Sequence, residues 1–115
     1  MDVEEHLAAF ARAFVIPAKR DRWQELLARR GKNTFRDSSK LMAALDARYC
    51  ERVDGEWAID AVRFCAYYDF HSEPTVVTFG EAVAAGSNRD AIASLEPGRL
   101  AVHFSHEGWS WLCRR

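Results

Sequence analysis

Residues 91–113 read AIASLEPGRLAVHFSHEGWSWLC, three runs of strand-like side chains separated by two turn signals. Ala91 to Leu95 is short and apolar. Glu96-Pro97-Gly98 then supplies turn chemistry, because proline presets φ and glycine accepts left-handed backbone. Leu100, Val102 and Phe104 alternate with Ala101, His103 and Ser105. After His106-Glu107-Gly108, a last run puts Trp109, Trp111 and Cys113 on one face and Ser110 and Leu112 on the other. A period of two between short turns predicts three antiparallel strands joined as a meander. Upstream, Val62, Phe64, Ala66, Tyr68 and Phe70 alternate with Arg63, Cys65, Tyr67 and Asp69, predicting a fourth, half-buried strand. Between these, Thr78 with Glu81 forms a capping box and Gly86 a stop, predicting a short helix over Phe79 to Ala85.

Toward the amino terminus the period changes. Asp2 with Glu5 resembles a capping box, and Val3, Leu7, Phe10 and Phe14 follow at helical spacing, predicting a helix over residues 3–14. Pro17 suits the first turn of a second helix, which Arg29, Arg30 and Gly31 close near residue 30. Thr34 with Asp37 can cap a third helix, in which Phe35, Met42 and Leu45 share one face and Leu41 flanks it, ending near Ala47. Asp54-Gly55 marks a turn, and Glu56 to Ala61 could continue either way. Three helices followed by strands argue an α+β fold: helices on one face of a mostly antiparallel sheet of about four strands, with one short inserted helix. Residues 1–115 are read as a single domain, with no repeat and no linker.

Several pieces of the chain carry a resemblance. Phe14-Val15-Ile16-Pro17-Ala18-Lys19-Arg20-Asp21-Arg22-Trp23, Arg30-Gly31-Lys32, Leu45-Asp46-Ala47-Arg48-Tyr49 and Pro97-Gly98-Arg99-Leu100-Ala101 resemble segments of a set of small uncharacterised bacterial proteins. The resemblance runs in short pieces over about half of the chain, and the pieces quoted make up 23 of the 115 residues. The resemblance implies a bacterial source and a similar α+β layout, and it transfers no functional residue.

Composition narrows the function classes. Sixteen Lys and Arg stand against 17 Asp and Glu, and 7 Phe, 4 Trp and 3 Tyr supply ample aromatic mass for one core. No apolar run approaches the ~20 residues of a membrane span, and the acidic start MDVEEHLAAF differs from a basic targeting segment, so a soluble, cytoplasmic protein is expected. Cys50, Cys65 and Cys113 are odd in number and form no C-x-x-C pair, which reads as buried free thiols. No glycine-rich phosphate loop or dinucleotide fingerprint occurs, so no cofactor is expected.

Charge is unevenly placed. Residues 1–16 have one base and three acids, a net of −2; residues 17–40 have eight bases and three acids, a net of +5; residues 41–115 have seven bases and eleven acids, a net of −4. At about 100° per residue, Trp23, Leu26 and Leu27 define the buried side of the second helix, while Arg22 and Arg29 lie together elsewhere. Glu25 precedes Arg29 by four residues, the favourable order for a helical ion pair.

Three functional readings follow. The first is a non-enzymatic interaction or regulatory domain that binds another protein, with Arg22, Arg29, Arg36, Trp109 and Trp111 as partner-binding candidates. The alternative is a nucleic-acid-binding module using Lys19, Arg20, Arg22, Arg29, Arg30, Lys32 and Arg36 on phosphates. The second alternative is a small enzyme built on His71, His103 or Cys65. His71-Ser72-Glu73 has acid/base residue types, but adjacent positions diverge without a distant partner. His103-x-x-His106-Glu107 has a spacing of three on a strand and its turn, which points the two imidazoles apart, so no metal site is expected. His103 is therefore read as a polar-face histidine and His106 as a turn residue.

Overall fold

Where apolar side chains recur every three to four residues behind a carboxylate cap, the chain winds as expected. In the computed structural model, which describes residues 1–54 and 57–115, helix α1 covers Val3–Phe14 and Asp2 Oδ1 accepts from the Glu5 amide at 3.1 Å. Helix α2 covers Pro17–Arg29, with proline in its first turn and Trp23, Leu26 and Leu27 buried. The third helix is a correction to the sequence reading, because it is broken into three pieces. These are α3 (Lys32–Asp37), a 3₁₀ turn (Ser38–Lys40) and α4 (Leu41–Ala44). Ser38 explains the break: its hydroxyl donates to the Phe35 carbonyl at 2.8 Å, offering the backbone a local partner in place of the helix. The interruption rotates Phe35 away from the core, so it is exposed, while Leu41 is fully buried instead of flanking. Thr34 does not cap, since it lies inside α3 and its hydroxyl donates to the Leu26 carbonyl of α2 at 2.8 Å.

The described residues hold six strands rather than about four: β1 (Cys50–Val53), β2 (Phe64–Tyr68), β3 (Thr75–Thr78), β4 (Ala91–Glu96), β5 (Leu100–Phe104) and β6 (Ser110–Arg114). Helix α5 (Phe79–Gly86) follows β3 and carries the complete Thr78/Glu81 capping box. All pairings are antiparallel, in the order β1-β6-β5-β4-β2-β3. The predicted meander is β4-β5-β6. The two strands not anticipated, β1 and β3, are the outer edges of the sheet and have four residues each, too short to show a period. The predicted Asp54-Gly55 turn reaches beyond the described residues.

Helices cover both faces of the sheet, which corrects the one-faced packing expected. On one face α1, α2 and α4 bury Leu7, Phe10, Phe14, Leu27 and Leu41 against Tyr68, Ile92, Ala101 and Cys113. On the other, Phe79 and Ala82 of α5 pack with Tyr67, Ala93, Val102, Phe104 and Leu112, and Trp57 stands edge-on to Phe79 and Phe104. Strand β2 is accordingly buried on both faces from Cys65 to Tyr68, whereas Val62 and Phe64, on the apolar face of the predicted half-buried strand, project into solvent. His103 is a further correction. It lies on the face covered by α1, α2 and α4, fully buried between Ile92 and Trp111 of the neighbouring strands.

Among the described residues, no helix is long and apolar enough to cross a membrane.

Candidate interaction surface on helices α2 and α3

A sharp reversal between α2 and α3 organises this surface. Arg30 holds φ 45° and ψ 144°, backbone that side-chain-bearing residues rarely adopt, and Gly31 follows with φ 148°. The Thr34 hydroxyl then pins α3 beside α2, bringing Asp37 opposite Arg22, whose Nη2 donates to Asp37 Oδ2 at 2.8 Å. Lys40 approaches Asp37 Oδ1 at 3.3 Å and Arg36 at 3.8 Å. Burial acts to raise the Asp37 pKa, but hydrogen bonds from Lys40 and Arg22 and the charges of Lys40 and Arg36 outweigh it and hold the carboxyl below its ordinary value.

Around this carboxylate lies a cleft of about 390 Å³, floored by Trp23 and Leu26 and rimmed by Lys19, Arg22, Arg36 and Lys40. Four cations against one carboxylate leave it with three net positive charges.

Past Gly31 the surface continues into a second cleft of about 430 Å³ between the α2–α3 turn and the end of β2. Its walls are aromatic. Phe35, 49% exposed, stands edge-on to the His71 ring with centroids 4.7 Å apart, and Tyr68 lies 4.8 Å from Phe70. Phe70 has φ 68°, so two non-glycine residues lining this second cleft, Arg30 and Phe70, hold left-handed backbone. The turn after β2 is set by Asp69, whose Oδ1 accepts from the amides of His71 and Ser72 at 3.0 and 3.1 Å. Burial, reinforced by the nearby Glu73 and Asp69 carboxylates, pushes the Tyr68 hydroxyl up to about 12 despite the opposing charge of Arg30.

The sequence-derived candidates divide among several places. Lys19, Arg22 and Arg36 share the basic cleft, and Lys32 borders the aromatic one. Arg29 pairs with Glu25 at 3.3 Å, as the helical spacing predicts. Arg20 turns back to the Val15 carbonyl at 3.3 Å. Arg30 is drawn inward: it binds Glu4 through two nitrogens at 2.9 and 2.8 Å, Glu73 at 3.0 Å and the Leu27 carbonyl at 2.9 Å. Trp109 and Trp111 are half-buried on the face covered by α1, α2 and α4, away from this surface. The Trp109 indole donates to Met42 Sδ at 3.3 Å and the Arg52 guanidinium covers its ring at 4.0 Å, while Trp111 packs on the core.

The structure does not bring Cys65, His71 and His103 together. Cys65 belongs to the α5-side core and burial pushes its thiol up to about 11; His103 lies on the opposite face; His71 is exposed at the end of the sheet. His106 is exposed and its Nδ1 faces Asp90 at 3.0 Å, which raises its pKa. Among the described residues, no three of His, Cys, Asp and Glu are grouped to hold a metal ion.

Sequence reading missed Phe35, Asp37 and Lys40 as surface elements. The Ser38-Ser39 pair is the signal that could have revealed them, since serines compete with helix hydrogen bonds. No family model matches the chain, and neither a curated protein nor a solved structure matches it.

Proposed function

We propose that this protein is a small, non-enzymatic, cytoplasmic interaction domain that docks on an acidic surface of another protein through helices α2 and α3. The observation that carries this reading is Phe35. A large apolar side chain is left half-exposed over an aromatic-walled cleft, beside a cleft with surplus positive charge. Binding energy at protein interfaces concentrates in such anchors, and the surrounding charges steer encounter and set register. Three thiols without a disulfide support a reducing compartment.

A nucleic-acid reading keeps one supporting observation, the convergence of Lys19, Arg22, Arg36 and Lys40 on a single cleft. It ranks second because Arg29 and Arg30 are engaged by Glu25, Glu4 and Glu73, leaving fewer cations for phosphate.

The test places a photo-crosslinking phenylalanine analogue at position 35 and, as a control, at position 62. We expect position 35 to capture a discrete acidic protein, with capture lost when Arg22 and Arg36 are both changed to Glu. Equal capture at position 62, or capture that survives charge reversal, sinks the proposal. Fluorescence anisotropy with mixed-sequence DNA and RNA at about 50 and 200 mM salt separates the second reading, since phosphate contacts weaken steeply over that range.

A further inference from the structure

Among the described residues, edge strand β1 has one neighbour, β6, and in their register Cys50 stands directly opposite Cys113. One step along, the Arg114 amide donates to the Tyr49 carbonyl at 2.9 Å, which makes Tyr49 and Arg114 a hydrogen-bonded pair. Such pairs alternate along an antiparallel ladder, so Cys50 and Cys113 form a non-hydrogen-bonded pair. The Cys50 amide agrees, since it donates to the Asp46 carbonyl at 2.9 Å rather than across the ladder. In pairs of this type the Cα atoms stand about 4.5 Å apart and the side chains are at their closest, within the range that a disulfide bridges. Both side chains belong to the core beneath α1, α2 and α4, where the Cys50 thiol donates to the Phe14 carbonyl at 3.8 Å and the Cys113 thiol to the Trp111 carbonyl at 3.9 Å, and burial pushes the Cys113 thiol well up. Cys65 lies in the other core, across the sheet.

We propose that Cys50 and Cys113 are an oxidisable pair that closes to a cross-strand disulfide, with a low-molecular-weight disulfide of the glutathione type as oxidant. The Cys50 thiol loses its proton and its sulfur attacks one sulfur of the oxidant, breaking that S–S bond and releasing one thiol. The Cys113 sulfur, losing its own proton, then displaces the second thiol from the mixed disulfide. Two protein thiols become one disulfide, and the two electrons reduce the oxidant to two thiols. Access comes from β1 itself: a four-residue edge strand held by one neighbour opens at lower cost than the strands inside the sheet. In a reducing compartment the pair rests as thiols, and a shift toward oxidation ties the edge strand to β6.

The experiment equilibrates the full chain, folded, across a series of reduced-to-oxidised glutathione ratios, then quenches in acid, denatures, alkylates and weighs the protein. The expected result is the joint loss of two of the three alkylatable thiols, with the Cys50 and Cys113 peptides linked and Cys65 alkylated. The oxidised form also melts at a higher temperature, and the β1 amides exchange more slowly with solvent. Three alkylatable thiols at every ratio, glutathione adducts that never resolve into the bond, or a linkage that involves Cys65 would overturn the proposal.

Discussion

Arg22 and Asp37 lie fifteen positions apart in sequence and 2.8 Å apart in space, and their contact joins α2 to α3 within the basic cleft. Asp37 is the one carboxylate among the cations of that cleft. Replacing Asp37 with Asn leaves Arg22, Arg36 and Lys40 facing each other uncompensated. The variant is expected to have a lower urea midpoint at low ionic strength, with the deficit shrinking as salt screens the repulsion. Because the folded pKa lies below its ordinary value of 3.8, this carboxylate stabilises the fold above that value and the contribution is lost as pH falls through the folded pKa. Urea midpoints between pH 7 and 3 check both points, since the Asn variant should show a flatter acid limb. The same variant should hold an acidic partner more tightly, as its cleft gains one positive charge.

His103 is fully buried, neither ring nitrogen has a hydrogen-bond partner among the described residues, and burial lowers its pKa from 6.5 to about 4. The unfolded chain binds this proton more readily than the folded one, so stability is unaffected above pH 6.5 and declines as pH falls toward 4. At 1.36 kcal/mol per pKa unit the loss amounts to about 3 kcal/mol. His103→Leu should remove that decline and match or exceed the parent in stability at pH 7, because an apolar side chain replaces an unpaired polar one. Chemical denaturation at pH 7.5 and 4.5 reads the difference; an unchanged slope in the Leu variant contradicts it.

Gly86 ends α5 directly over Phe104. A Cβ at that position would meet Phe104 Cδ2 at 2.8 Å, and the ring is fixed between the sheet and Trp57. Gly86→Ala is therefore expected to destabilise the protein by about 1–3 kcal/mol through overpacking, despite the better helix propensity of alanine. Thermal melting of the single variant checks it.

Arg30 combines left-handed backbone with four hydrogen bonds to Glu4, Glu73 and the Leu27 carbonyl. Arg30→Ala loses the bonds and keeps the strain, while Arg30→Gly loses the bonds and relieves the strain. The glycine variant should be the more stable of the two by about 1 kcal/mol. The reverse order in a denaturation comparison would show that the turn carries no strain.

Features that depend on neighbours within about four residues were legible in the chain. The bounds of α1, the Thr78/Glu81 capping box, the Glu25–Arg29 pair and both meander turns follow from local hydrogen bonding and side-chain period. The basic character of residues 17–40 was equally legible, because charge is counted and not folded. The pairing of β1 with β6 and of β3 with β2, the burial of His103 and the exposure of Phe35 were settled by tertiary structure. Strands of four residues show no period of their own, and the buried or exposed state of a side chain depends on which distant element covers it. The same reason governs the site. Glu4 and Glu73, far from Arg30 in sequence, remove it from the basic surface, while Asp37 gathers Arg22, Arg36 and Lys40 into one cleft, because Coulomb attraction and hydrogen bonding act across space and not along the chain.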